Sequence, residues 1–182
     1  MSELAAAILA TALAASGPWY PPGEDPESPC ERQQRYETIA TALAVEAIEL
    51  EDGWGWSAAD RAWAGYVVTR HESGRWRLEV HDGSRRGDRG QSVCLGQIRH
   101  GDESLIGTSL EATRACVRAV YEHLAQHWER CLYYRPEPSA WAMGAVFAGY
   151  GTGHSCNPQH NSPHLGKGWA LKRGRHWWQV RQ

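Results

Sequence analysis

The sequence predicts a mainly helical α+β domain with a small β-hairpin region. Three observations lead there. Apolar residues recur at three- and four-residue spacing across three long segments, the helical period. Strand-like alternation is confined to one short stretch broken by glycines, residues 76–93. The chain has 182 residues, enough for one hydrophobic core and short for two.

Composition narrows the class of molecule. With 42% hydrophobic and 22% charged residues, the chain can bury a core and is not of the disordered kind. A net charge of -2 argues against a protein held to nucleic acid by neutralising phosphates, so no nucleic-acid partner is expected. Ten Trp and seven Tyr stand against a single Phe. Such rings carry a polar edge, which suits both a sugar-lined cleft and the rim of a small core.

The elements follow in chain order. Leu4–Ala15 is apolar but about a dozen residues long, short of the ~20 that span a bilayer, so no membrane span is expected. The chain opens Met1-Ser2-Glu3 rather than with the basic front of a secretory signal, and Ser2 reads as the cap of a short helix. Five of the nine prolines fall between Pro18 and Pro29, a stiff connector that makes residues 1–29 an appendage to a main domain of residues 30–182. Tyr36, Ile39, Leu43 and Ala47 mark a helix from about Cys30 to Leu50, ended by Asp52-Gly53.

Ser57 with Asp60 starts a second core helix, whose stripe Ala59, Trp63, Tyr66 and Val67 runs toward His71 and Glu72. Trp76, Leu78 and Val80 alternate, predicting short strands or a hairpin in a segment interrupted by Gly83, Gly87 and Gly90. Thr108 with Glu111 caps a long helix with a seam of Leu110, Val117, Val120, Leu124 and Trp128. Ala140–Tyr150 is apolar on all sides, the pattern of a buried strut. Trp169–Val180 reads as a last helix laid on the surface.

Five cysteines allow at most two disulfides within one chain. On one continuous helix Cys116 and Cys131 would lie about 22 Å apart, beyond the ~7 Å that a disulfide bridges. Cys94 with Cys156 and Cys116 with Cys156 stay open, with a buried free thiol as the expected remainder.

Chemistry concentrates around Glu72. It ends a helix, shares a face with Val68 and is followed at once by Ser73-Gly74, where regular backbone stops and a cleft can open. Partial burial of a carboxyl there would keep its proton available, as a general acid for glycosidic cleavage requires. The run Gly87–Ile98, GDRGQSVCLGQI, follows with glycines that admit close approach of a ligand.

Arg70–Ser73, then Gly87-Asp88-Arg89-Gly90, then Leu95 and Gln97, then Tyr150 and Gly153 together resemble the lysozyme-like superfamily, specifically goose-type lysozymes and soluble lytic transglycosylases. The matching residues come in the family's order over roughly Ser57 to Cys156, about half the chain. The resemblance implies a lysozyme-like helical domain with its hairpin region beside a cleft, acting on the β-1,4 bond between N-acetylmuramic acid and N-acetylglucosamine in peptidoglycan.

By that resemblance Glu72 takes the place of the catalytic acid, and Ser73 that of the serine that positions it. Asp88 takes that of an aspartate that orients water, and Gln97 and Tyr150 line the sugar cleft. Trp76 is a further candidate, as a ring that stacks on saccharides. No cofactor is implied, and the partners are peptidoglycan glycan strands. Cys94, Gly96 and Gly151 depart from the pattern, which has Gly, a larger apolar residue and Asn there.

Two outcomes share this framework. With a second carboxylate, Asp88 or Asp82, about 6.5 to 9.5 Å from Glu72 the product is hydrolysed sugar. Without one, the family's transglycosylases turn the muramic acid's own 6-hydroxyl on the bond and leave a 1,6-anhydro end. The expected place of action is the periplasm or cell wall. With no recognisable signal peptide, delivery as a phage lysin, on a virion, or by another export machine is expected.

Two other classes compete. His154, Cys156, His160 and His164 offer four nitrogen or sulfur ligands in eleven residues, the makings of a metal-dependent hydrolase. His123 and His127 share a helix face and read as a solvated pair. The departures at Cys94, Gly96 and Gly151 would also fit a non-catalytic wall-binding or virion protein that kept the fold and lost turnover.

Overall fold

The computed structural model describes residues 1–15, 26–50, 56–132, 139–162 and 165–182. The molecule is mainly helical, with two small antiparallel hairpins among the described residues. Helix α1 (Glu3–Ala14) begins where the Ser2 hydroxyl accepts from the Ala5 N–H. Its inward residues Ala5, Ile8, Leu9 and Ala12 are buried, and the last three belong to the same hydrophobic cluster as Ile39 and Leu43 of the next helix, α2 (Pro29–Glu49). The first helix is therefore part of the core rather than an appendage, because one face of it is a continuous apolar stripe that α2 covers. The predicted connector lies largely outside the described residues, as does the Asp52-Gly53 helix stop.

Helix α2 (Pro29–Glu49) opens with a capping box between Ser28 and Glu31 and a proline in its first turn, where no N–H is needed. Helix α3 (Ala58–Glu72) starts on Ser57, whose hydroxyl accepts from the Asp60 N–H at 3.1 Å. Helix α5 (Leu110–Leu132) is capped by Ser109 rather than by Thr108, through the Ala112 N–H. The α2–α5 contact is locked by Glu46, buried and ion-paired to Arg114 and Arg118.

Every residue from Ala142 to Tyr150 in α6 (Ala140–Thr152) is buried, as its all-round apolar pattern requires. It packs against α5 on one side and α7 (Trp169–Val180) on the other. α7 is not laid loosely on the surface: Trp169, Ala170, Arg173, Gly174 and Trp177 face inward. A Cβ on Gly174 would lie 2.1 Å from the Ala140 carbonyl oxygen, so only glycine permits this approach.

The strands predicted from Trp76, Leu78 and Val80 are absent. Leu78–His81 forms a single helical turn, α4, and the hairpin lies further on, pairing β1 (Ser92–Val93) with β2 (Ile98–Arg99). A second short hairpin pairs β3 (Asn161–Ser162) with β4 (Gly166–Lys167).

Disulfides join Cys94 to Cys116 and Cys131 to Cys156. Cys116 and Cys131, on the same helix, are not partners, as helical geometry required. Neither open pairing to Cys156 forms with Cys94 or Cys116: the chain after α6 returns to the end of α5, where Cys131 waits. The free thiol, Cys30, is exposed at the start of α2 rather than buried. Both bridges fasten a loop to α5.

Candidate active site

Glu72 is the last residue of α3, and the chain reverses immediately after it. The buried Ser73 hydroxyl fixes the reversal, donating to the Thr69 carbonyl at 2.5 Å and accepting from the Trp76 N–H at 2.7 Å. Arg75 and Trp76 both adopt left-handed φ, 70° and 60°. Ser73 thus shapes the turn that presents Glu72, and its hydroxyl is spent on backbone.

Trp76 does not face a sugar site. It is 1% exposed, its indole N–H donates to Thr69 Oγ1 at 2.9 Å, and its ring meets Tyr36 and Tyr66 edge to face. A ring whose polar edge is satisfied internally and whose faces are packed belongs to the core.

The opposite wall comes from residues 85–97. Asp88, with φ of 48°, is exposed, and its Oδ2 accepts from Ser92 Oγ at 2.7 Å. It does not line the cavity beside Glu72, although its neighbour Gly87 does. Asp82 is also exposed and outside the lining, accepting from the Ser84 N–H. Gln97 does line the cavity, lying over Gly87 and donating from Nε2 to the Cys94 carbonyl at 3.1 Å.

Tyr150 is buried beneath this wall and outside the lining. Its hydroxyl donates to the Gly96 carbonyl at 2.7 Å, tying α6 to the tip of the hairpin. Burial, and then the nearby Glu72 carboxylate, push that hydroxyl well above its ordinary range, so it stays a neutral donor.

Cys94, Gly96 and Gly151 each answer a steric or conformational constraint. Cys94 holds φ of 59°, a glycine-like conformation, and its disulfide to Cys116 anchors it there. A Cβ on Gly96 would stand 2.2 Å from Val120 Cγ2 and 2.9 Å from the Tyr150 hydroxyl. A Cβ on Gly151 would stand 2.4 Å from the Trp169 ring, so that ring fills the space a longer side chain would need.

The Glu72 cavity has a volume of about 320 Å³, with Arg77, Arg85 and Arg86 among its walls and Glu72 as its one carboxylate among the described residues. Glu72 is partly buried and its single hydrogen-bonding partner among the described residues is Arg173 of α7, itself buried against the Trp169 ring. The fold sets the buried Arg173 guanidinium directly against this carboxyl, a charge that the helix-end argument from sequence leaves out. A second depression of about 440 Å³ shares His71 with the first and is walled by Lys172, Arg173, Arg175 and His176. The His71 and His176 rings meet at 3.3 Å between the two.

The histidine candidates part company. Cys156 is consumed by its disulfide, the His154 and His160 rings stand 6.5 Å apart, and His164 lies outside the described residues. No three His, Cys, Asp or Glu side chains come together as a metal site among the described residues. His127 is not solvated: it is 5% exposed with neither ring nitrogen hydrogen-bonded, and burial followed by Arg130 pushes it down to about 4. His123 packs between it and Tyr150.

The structure therefore brings Glu72, Ser73 and Gln97 to one cavity, sets Tyr150 behind its wall, leaves Asp88 outside the lining and removes Trp76 to the core. Arg173 is the residue that sequence reasoning missed. Trp169, Arg173 and Trp177 fall on one helical face, and a cation between two tryptophans on a buried stripe calls for a carboxylate partner. No protein-family model matches the chain, and neither the search of curated proteins nor that of solved structures finds a match.

Proposed function

We propose that this chain cleaves the glycan strands of peptidoglycan at the β-1,4 bond between N-acetylmuramic acid and N-acetylglucosamine, as a lytic transglycosylase. The observation that carries the reading is a single partly buried carboxylate, at the end of a helix, in an open cavity with no second carboxylate in its described walls.

Glu72 donates a proton to the glycosidic oxygen as the C1–O bond breaks. The muramic acid 6-hydroxyl then attacks C1, returning its proton to Glu72, so no water is consumed and a 1,6-anhydro end forms. Arg173 suits the anionic half of that cycle, when Glu72 has given its proton away. Gln97 offers an amide to the sugar, while Ser73 and Tyr150 hold the two walls in register. An inverting hydrolase needs a second carboxylate to activate water, and Asp88 at the exposed rim is a poor candidate.

The two disulfides suit an oxidising compartment, in keeping with action in the periplasm or cell wall. No helix among the described residues is long and apolar enough to cross a membrane.

The test is turbidity clearing of peptidoglycan by wild type, by Glu72→Gln and by wild type treated with chelator. The reading expects clearing by wild type with or without chelator and none by Glu72→Gln. Clearing that survives the substitution overturns it, and loss with chelator alone favours a metal-dependent enzyme. Binding to sacculi without release of muropeptides favours a non-catalytic wall-binding protein.

A further inference from the structure

The groove that holds Glu72 is far more basic than the chain as a whole. Arg77, Arg85 and Arg86 wall the Glu72 cavity, and Lys172, Arg173 and Arg175 wall its neighbour, on a chain with net charge -2. Arg173 is engaged with Glu72, Arg77 with Glu79 and Arg86 with Glu103. Arg85, Lys172 and Arg175 are exposed and make no ion pair among the described residues. They stand on both sides of Glu72: Arg85 on the hairpin side, Lys172 and Arg175 on the α7 side, with His71 shared between the two depressions.

Like charges gathered around two adjoining depressions repel one another and gain nothing from the fold. Their arrangement makes sense when an anion fills the groove. A neutral glycan such as chitin would leave these cations unanswered. A glycan substituted with peptides that carry free carboxylates would meet them repeatedly along the strand. We infer that the groove recognises carboxylate-bearing glycan, through Arg85 on one flank of the scissile bond and Lys172 and Arg175 on the other. This rests on Glu72 being the glycan-cleaving acid, but it concerns binding and is measured separately from turnover.

The experiment is co-sedimentation of the full chain with three insoluble glycans at low and raised salt. These are native sacculi, sacculi whose carboxylates have been capped as glycinamides by carbodiimide coupling, and chitin. The wild type is expected to bind native sacculi at least ~10-fold more tightly than capped sacculi or chitin, with the advantage shrinking as salt screens it. Lys172→Glu/Arg175→Glu, at two exposed positions, is expected to bind native sacculi as weakly as the wild type binds capped ones.

Equal binding of native and capped sacculi by the wild type, or undiminished binding by the double variant, overturns the inference, as does binding to none of the three. Muropeptide release is read from the same samples. Carboxylate-dependent binding without release counts against the chemistry assigned to Glu72 and leaves the recognition standing. Release that proceeds equally from native and capped sacculi, with equal binding, does the reverse.

Discussion

The helical body and the segment Arg75–His100 are built by different means. In α2, α3, α5 and α6 the backbone is ordinary and the order comes from burial: Ile39, Leu43, Val67, Val117, Val120 and Phe147 are fully enclosed. In the segment from Arg75 to His100 lie all seven described non-glycine residues with left-handed φ: Arg75, Trp76, Asp88, Arg89, Cys94, Gln97 and His100. Such conformations are intrinsically unfavourable for L-residues and persist only when the surroundings enforce them. Here the enforcing ties are few and nameable: Ser73 to Trp76, Ser92 to Asp88, Tyr150 to Gly96, and the Cys94–Cys116 bridge. The lesson is that the wall facing Glu72 is specified by individual bonds, while the scaffold behind it is specified by apolar area.

Trp76 lies in the irregular segment yet belongs energetically to the body. Trp76→Ala is expected to lower unfolding free energy by about 3–5 kcal/mol in urea titration. At a temperature where the variant is still folded, its KM for sacculi is expected to be unchanged; a raised KM with native stability would return this ring to the sugar site.

The two disulfides sharpen the contrast, because they close loops of similar length, with separations of 22 and 25 residues. Loop-closure entropy gives each about 3 kcal/mol of stability. Cys94→Ala/Cys116→Ala and Cys131→Ala/Cys156→Ala are therefore expected to melt alike. Only the first, which frees the wall bearing Gln97, is expected to cut turnover by ~10-fold or more, measured on the folded protein. Equal loss of activity in both pairs would dissolve the distinction between wall and scaffold.

A smaller effect belongs to the body alone. His127 is buried neutral with its pKa pushed down to about 4 by burial and then Arg130, against an ordinary value near 6.5. As pH falls from 6.5 toward 4 the unfolded chain takes up a proton that the folded one refuses, so stability is present above the window and lost within it. The loss is about 2 kcal/mol by pH 5, on top of a parallel one from His81, pushed down to about 3 by burial and then Arg35. Urea titrations at pH 7 and pH 5 should show the difference shrinking by about that amount in His127→Leu. An unchanged pH dependence would mean that His127 opens to solvent.

The smallest effect is expected at the rim. Asp88→Asn should change turnover on sacculi less than ~3-fold, since Asp88 is exposed and outside the cavity lining. A water-activating base would cost ~100-fold or more.

How far the sequence spoke depended on which of the two regimes a residue occupies. The helices and the buried run of α6 were legible because apolar patterning reports burial directly, and the caps at Ser2 and Ser57 because a hydroxyl there can accept a first-turn N–H that has no partner within the helix. Trp76, Leu78 and Val80 misled because alternation over three residues fits a strand and equally fits a left-handed reversal followed by one helical turn. The cysteine partners were illegible because pairing depends on where the chain after α6 returns. Glu72 was legible as the acidic residue that ends α3, whereas Arg173 sits 101 residues from it and meets it through the packing of α7 on α6 and α3.

The most direct measurement is mass spectrometry of the muropeptides released from sacculi by the wild type and by Glu72→Gln. Wild-type products are expected to end in 1,6-anhydro-muramic acid, and Glu72→Gln, at equal concentration and equally folded, is expected to release at least ~1,000-fold less. Products with reducing ends would contradict the single-carboxylate site, and release that persists in Glu72→Gln would contradict the assignment of the acid itself.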